Sequence, residues 1–391
     1  MHTSVLLAEI MMELKNNFFN KSNNLDNTTF NLTHINNIFI DCTFGFGGYS
    51  FAILNTFPNA KVIAFEIDSD SLQYANKIKE QFPDRFTIIN SNFANITKEL
   101  LKLNITKVSA IIADLGISSM QIDSKDRGFS FTHDAKLDMR MNNKDGIDAY
   151  TVINNYDEKK LADIIYYFGE EKFAKRIAKN IINYRKLNSI ETTTQLAKII
   201  SEVIPYKYSK THPATKTFQA IRIFVNQELE NLKSLLSQTS NLLIPNGMLA
   251  VVSFHSLEDK IVKDYIKANA TIKIQQSKYK NRNELIIQNK TDQGINQDIN
   301  IKLDENINKD INNELLMKNV NNQALINKSL NHHIIKNENI TNLLLNKNSD
   351  NKLTNNNLFD IYTHKLIVPT QAEISSNNRA RSAKLRIIKK K

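Results

Sequence analysis

The stretch FIDCTFGFGGYS, residues 39–50, decides how this chain is to be read. The chain has nine glycines in 391 residues, and three of them, Gly45, Gly47 and Gly48, fall within four positions here. Glycine costs backbone entropy, so a chain that otherwise avoids it concentrates it where the backbone must turn sharply or approach something closely. An apolar β-rich run ending in Asp41, then Gly-x-Gly-Gly, then the helix-like SFAILNTF, reads as the first strand–turn–helix of a nucleotide-binding α/β domain.

Working outward, similar apolar runs recur at KVIAFE (61–66), FTIIN (86–90) and SAIIAD (109–114), and DSLQYANKIKEQF between the first two of these has helical spacing. Runs that are apolar throughout, alternating with helices, predict a parallel sheet covered on both faces. A fifth run, MLAVVSF, follows the turn PNG at 245–247, but Met248 lies 134 residues beyond Asp114. One crossover helix needs far less chain, so a further unit is expected between the fourth and fifth strands. Its segments DEKKLADIIYYF, EEKFAKRIAKNIINYRK, TTTQLAKIISEVI and TKTFQAIRIFVNQELENLKSLLSQ read as helices. THKLIVP and AKLRIIKK read as an antiparallel hairpin at the sheet edge.

Residues 281–357 differ from their surroundings: 23 asparagines in 77 positions, one glycine, and no Phe, Tyr, Trp or Pro. Without aromatic anchors or a sustained period they read as a low-complexity, disordered insertion with no chemistry of its own. The organisation expected is a first part of the α/β domain over 1–135, an inserted helical substrate-recognition domain over 136–220, and a second part of the α/β domain over 221–280. The insertion over 281–357 and C-terminal strands with a basic tail over 358–391 complete it.

No run of eighteen apolar residues occurs, and the opening MHTSVLLAEIMMELKNN has no basic start and is interrupted by Glu9, so neither a membrane span nor a signal peptide is expected. Cys42 is the only cysteine, which excludes an internal disulfide and a cysteine metal cluster; no metal is expected, and the cytoplasm is the natural compartment. The net charge of +11 suits a polyanionic partner or reflects a lysine- and asparagine-rich codon bias. The tail from Asn377, NNRARSAKLRIIKKK, has seven basic residues and no acid, which favours nucleic acid.

Counting the glycine turn after the first run, four strand ends carry candidate ligand groups. Glu66, nineteen residues beyond Gly47, is placed to accept hydrogen bonds from ribose hydroxyls, with Asp68 and Asp70 as neighbouring competitors. Phe93 follows the third strand, as an adenine contact or a core ring, and Asp114 ends the fourth, as a ligand group or a turn cap. A dinucleotide site wants a third glycine, spaced G-x-G-x-x-G, and a P-loop wants GK[ST]; both are missing. A nicotinamide-dependent oxidoreductase is therefore the weaker reading. S-adenosylmethionine, which has no phosphate to cradle, is the better fit, and the fold expected is a Rossmann-like class I methyltransferase sheet.

The blocks DCTFGFGGYS, DLGISSMQID, RGFSF, LDMRM, YFGEEKFAKRIAK, HPATKTFQAIRIFVNQEL, SFHSLEDKIVK and NNRARSAKLR together resemble the bacterial 16S rRNA (cytosine-N4)-methyltransferases, the RsmH/MraW family. The resemblance runs in order over residues 1 to about 270 and from about 360 to 391. It implies methyl transfer from S-adenosylmethionine to N4 of a cytosine in the decoding region, with 16S rRNA or the small ribosomal subunit as partner. It also implies donor-binding roles for Gly47, Gly48, Tyr49, Glu66, Phe93, Asp114 and Gln121. Tyr49 stands where the family commonly has histidine and Glu66 where it has aspartate, so a backbone contact at 49 and a longer reach at 66 are expected.

A cytosine amine is a weak nucleophile, since its lone pair is delocalised into the ring, so orientation and proton acceptance matter. Asp138 in LDMRM and His255 in SFHS are the candidate acceptors, against a local ion pair with Arg140 for the first and a turn contact for the second. Backbone carbonyls or the Asp114 side chain can also polarise the amine. Lys172, Lys175, Arg176, Lys179, Lys216, Arg222, Arg379, Arg381 and Arg386 are candidate phosphate contacts. The target base must be unpaired or flipped outward, because N4 is consumed in pairing. A non-catalytic RNA-binding or ribosome-assembly protein on the same fold is the alternative, and DNA or protein methylation is disfavoured by the resemblance alone.

Overall fold

The computed structural model describes residues 4–18, 37–204, 212–271, 358–363 and 366–391; the asparagine-rich segment 281–357 lies outside them. After helix α1 (Leu7–Phe18) come β1 (Ile38–Asp41), α2 (Gly48–Thr56), β2 (Lys61–Phe65), α3 (Leu72–Gln81) and β3 (Phe86–Ile89). They are followed by α4 (Ile96–Lys102), β4 (Val108–Asp114) and the short α5 (Ser119–Asp123). These four strands run parallel in the order β3-β2-β1-β4, with Phe39 opposite Val62 on one side and Ala110 on the other.

Burial explains why these runs are strands. All four β1 residues are buried, Phe39 in the core beneath α1 and α2, Ile38 and Ile40 in the core on the opposite face. A strand covered on both sides has no polar face to alternate, hence the unbroken apolar runs.

Five helices follow: α6 (Ala149–Asn155), α7 (Glu158–Gly169), α8 (Ala174–Arg185), α9 (Thr193–Ser201) and α10 (Thr215–Asn226). Their apolar stripes, with Phe129, Leu137 and Met139, share a separate hydrophobic core that no sheet strand enters. The chain then returns through α11 (Glu228–Leu242) to β5 (Leu243–Ser253), parallel to β4, and α12 (Ser256–Asn269). The block TKTFQ…SLLSQ, which reads as one helix, is two. Gln227 adopts φ 51°, ψ 36° between α10 and α11. A left-handed residue ends an α-helix because its carbonyl leaves the helical direction.

At the far edge β8 (Lys384–Lys390) lies antiparallel to β5, with Val251 opposite Arg386. The short β7 (Phe359–Ile361) pairs antiparallel with β8, and β6 (Ala270–Thr271) pairs parallel with β7, completing an eight-stranded sheet β3-β2-β1-β4-β5-β8-β7-β6. The expected hairpin partner of AKLRIIKK is therefore displaced: THKLIVP contributes one bridge, Ile367 to Leu385, and β7 takes the strand position. Before β8 lies α13 (Gln371–Ser376). No helix among the described residues is long and apolar enough to cross a membrane.

Candidate active site

The strand order reverses direction around β1 and β4, and at such a switch point the connections leaving the carboxyl ends diverge and open a crevice. The crevice is present as a cleft of roughly 500 Å³, lined from Ser4, the turn after β1, the ends of β2, β3 and β4, α5, α10, the start of α12 and residues 377–382. Of the donor-binding candidates, Tyr49, Glu66, Phe93, Asp114 and Gln121 line it; Gly47 and Gly48 do not.

The three glycines divide their labour. Gly45, with φ 53°, lines the cleft, and a Cβ there would meet nothing within 4 Å. Gly47, with φ 79°, would drive a Cβ to 2.5 Å from Ile78 Cδ1 and 2.7 Å from Phe44 Cε2, and Gly48 would meet Ser4 Oγ at 2.2 Å. Gly47 and Gly48 thus serve the packing of the turn, and Gly45 is the one that leaves the cleft wall open. The sequence pattern could not separate these roles. Tyr49 is buried and its hydroxyl donates to the Val5 carbonyl, so its ring anchors the N-terminal segment.

Glu66 accepts from the backbone N–H of Gly45 at 2.9 Å and of Asp68 at 2.8 Å, one on each oxygen. Burial, with Asp68 and Asp41 adding to it against those two hydrogen bonds, raises its carboxyl to about 7. Asp68, the competitor for Glu66, turns away: its buried carboxylate receives Gln121 Nε2 at 2.8 Å and Arg127 Nη1 at 2.9 Å. Gln121 also accepts the Ser118 N–H through Oε1, closing a capping box at the start of α5. Its amide therefore fastens α5 to the loop after β2.

Asp114 is different. Its N–H donates to Thr43 Oγ1 at 2.9 Å, but its buried Oδ1 has no hydrogen-bond partner. Burial, then repulsion from Asp41, Glu258 and Glu373, raises its carboxyl well above the ordinary range. A buried polar atom without a partner is costly, and in a cleft it marks where a donor group of a ligand belongs.

The two candidate proton acceptors are both engaged. Asp138 lies outside the cleft lining, and its oxygens receive Arg140 Nε and Nη2, both at 2.8 Å. Burial raises its carboxyl, but the Arg140 hydrogen bonds and charge outweigh that and hold it below the usual range. His255 lines the cleft as the N-cap of α12, with Nδ1 accepting the Glu258 N–H at 3.4 Å. Its Nε2 stands 3.1 Å from Glu258 Oε1 but off the line of a good hydrogen bond, and is buried without another partner. With Nδ1 accepting, the neutral ring carries its proton on Nε2 and has no free lone pair.

Arg222 is a charge partner rather than an exposed cation: its Nε and Nη2 reach Glu228 at 2.8 and 2.9 Å across the Gln227 break. Glu228, His255 and Glu258 also bring ligand-type atoms within 4.8 Å of one another. Both Glu228 oxygens are taken by Arg222 and one Glu258 oxygen by the Phe254 N–H at 2.8 Å, so most of these ligand-type oxygens are already engaged within the protein. Sequence reading did not single out Glu228, Glu258 or Asn226, because nothing in their local pattern reveals contacts across the α10–α12 region. Of the tail arginines, Arg379 pairs with Asp123 and Arg386 with Asp259 at 2.8 Å, while Arg381 is an exposed member of the cleft rim.

The donor set, an open glycine turn, a carboxylate at the end of β2, an aromatic ring after β3 and an unpartnered carboxylate ending β4, has the chemistry to hold an adenosyl amino acid. The family model described as the MraW methylase family matches residues 1–301 and 279–391. The chain is 50% identical over 258 residues to the ribosomal RNA small subunit methyltransferase H of Orientia tsutsugamushi (strain Ikeda), covering 65% of this chain and 81% of that one. It is 48% identical over 252 residues to the protein of that name from Rickettsia canadensis (strain McKiel), covering 64% and 80%. A solved rRNA methylase from Streptococcus thermophilus shows 11% identity over 59% of this chain and 69% of that one, with a TM-score of 0.24, which adds nothing to the strand order above. On the strength of the family match and the close relatives, this chain belongs to the MraW methylase family and is a methyltransferase.

Proposed function

We propose that this enzyme transfers a methyl group from S-adenosylmethionine to N4 of a cytosine in the decoding region of 16S rRNA, in the cytoplasm. The observation that carries the reading is the unpartnered, buried Asp114 Oδ1 at the carboxyl edge of β4, in a chain of this family. The relatives' names supply the ribosomal substrate.

In this reading Glu66 accepts the ribose hydroxyls, the Phe93 ring lies against the adenine, and Asp114 Oδ1 takes the amino group of the methionine part. Gly45 lets the turn approach without a side chain in the way. The bound donor supplies an electrophilic methyl on a sulfonium. The chain's own work is then to hold the base in line with that methyl and to exclude competing water. His255 stiffens the rim by capping α12 rather than taking a proton, and Asp138 holds Arg140. As N4 gains the methyl its amine becomes acidic, and the proton leaves to water at the cleft mouth.

The test is incubation with radiolabelled donor and undermethylated small subunits, followed by digestion of the RNA to nucleosides. The expected result is label in N4-methylcytidine, absent for a folded Asp114→Ala variant. Donor binding without any labelled nucleoside would overturn the substrate assignment.

A further inference from the structure

The exposed corner between α7 and α8 carries features that neither the cleft nor the core uses. Tyr166 and Tyr167 are 56% and 52% exposed, large apolar surface for a helix whose other face is fully packed. Their rings meet edge to face with centroids 5.2 Å apart, so each braces the other while leaving ring surface open to solvent. A core role is ruled out by this exposure.

The charges on α8 are of one sign, while Asp163 lies on α7 and Glu170 and Glu171 in the connection. Helix α8 has four cations and no acid; Arg185 is spent on the carbonyls of Ile153 and Tyr156, and Lys175, Arg176 and Lys179 stay exposed. Lys175 acts electrostatically on Asp163, which precedes the tyrosines by three and four positions, so α8's cations lie alongside the α7 turn that bears the two rings. Lys172 is exposed in the connection.

This corner is tied to the cleft. Glu170, three residues after Tyr167, accepts from Ser256, next to the cleft-lining His255, and its carbonyl accepts Lys216 Nζ at 3.0 Å. Gly169 packs so closely on α10 that a Cβ would fall 2.6 Å from the Lys216 carbonyl oxygen, and α10 supplies Gln219 and Arg222 to the cleft. The end of α7 is thereby fixed against the rim.

Resting on the reading that the substrate is RNA, we propose that Tyr166 and Tyr167 form a stacking platform for unpaired bases flanking the target cytosine, with Lys172, Lys175 and Arg176 holding the intervening phosphates. Aromatic faces beside a cationic strip match single-stranded RNA, since every base has a π-face to stack and every linkage a charge to meet. A protein partner would want the same rings but not a phosphate-dependent strip.

The test uses the full chain and a short unstructured RNA oligonucleotide, then undermethylated small subunits. The double variant Tyr166→Ala/Tyr167→Ala is expected to bind the oligonucleotide roughly ten- to hundredfold more weakly. KM for the subunit should rise while kcat at saturation, donor affinity and melting temperature stay as in the unaltered protein. Tyr166→Phe/Tyr167→Phe, which keeps the ring faces, should restore binding. Lys175→Ala/Arg176→Ala should lower the salt slope, log K against log salt, by about 1.4. Unchanged oligonucleotide affinity and KM in the alanine double variant, in a protein that still methylates, would overturn the platform alone. If the unaltered protein neither binds RNA nor methylates the subunit, the functional reading fails first.

Discussion

At the scale of single residues, the cleft shows stability and ligand binding pulling in opposite directions. Asp114 is buried with a partnerless oxygen, and its carboxyl is held well above the usual range, chiefly by burial. A group whose folded pKa is raised keeps its proton longer in the folded state, so its contribution to stability falls as pH rises through the unfolded value near 3.8 and beyond. The unliganded protein bears a cost that grows as pH rises above 3.8. Asp114→Asn is therefore expected to raise the unfolding free energy without donor by about 1–3 kcal/mol, while weakening donor binding about tenfold or more; denaturant melts and calorimetry check the two halves. Glu66 gives a different pH signature. With its free carboxyl at about 7, ribose hydroxyls that donate to the ionised form bind with release of a proton. Donor affinity should then rise about tenfold between pH 6 and pH 8, and Glu66→Gln should flatten that dependence in the same titration.

At the scale of elements, the glycine turn allows a comparison within four residues. Gly47→Ala must force a Cβ into Phe44 and Ile78 at a positive φ, whereas Gly45→Ala meets only the backbone penalty. The first should cost about 2–4 kcal/mol and the second about 1–2 kcal/mol, so thermal melts should rank them clearly. Donor affinity should suffer more per kcal/mol lost at Gly45, which faces the cleft. This turn also marks how far the sequence could be read. Strand ends at Asp41, Glu66 and Asp114 were legible because a parallel sheet buried on both faces writes itself as unbroken apolar runs with a polar residue at the exit, and Phe93 followed from the end of the third run. Which glycine faces the ligand was not, since that depends on Ser4 and Ile78, 44 and 31 positions away from their respective glycines. Helix α10 likewise hid its end: Gln227 has no glycine-like signature, and its left-handed conformation is held by the Arg222–Glu228 pair on either side. His255 and Asp138 had the right chemistry, but that His255 Nδ1 caps α12 and that Asp138 lies outside the cleft paired with Arg140 depends on contacts no local pattern reveals.

At the scale of the whole molecule, the sheet edge predicts what can be removed. Ala270 pairs with Phe359 and Thr271 with Asp360, so the chain leaves and re-enters the sheet at neighbouring positions. Replacing residues 281–357 by a short flexible linker leaves ample chain to join those ends. Such a variant is expected to retain methyl transfer and to melt within a few degrees of the full chain; loss of activity in a folded linker variant would show that the segment contributes to catalysis. The opposite holds for the far end of the chain. Residues 377–382 line the cleft, and β8 sits inside the sheet with β5 on one side and β7 on the other. At the other extreme, Ser4 covers Gly48, Tyr49 holds Val5, and the Leu6 N–H reaches Glu373 at 2.7 Å. A ribosome delivers β8 after every other described strand, so during synthesis the edge of β5 stays open until residues 384–390 emerge. A nascent chain halted before residue 377 would hold most of the apolar core yet lack both the cleft wall that 377–382 supply and the strand that covers β5, so the site is completed only as the last described residues emerge.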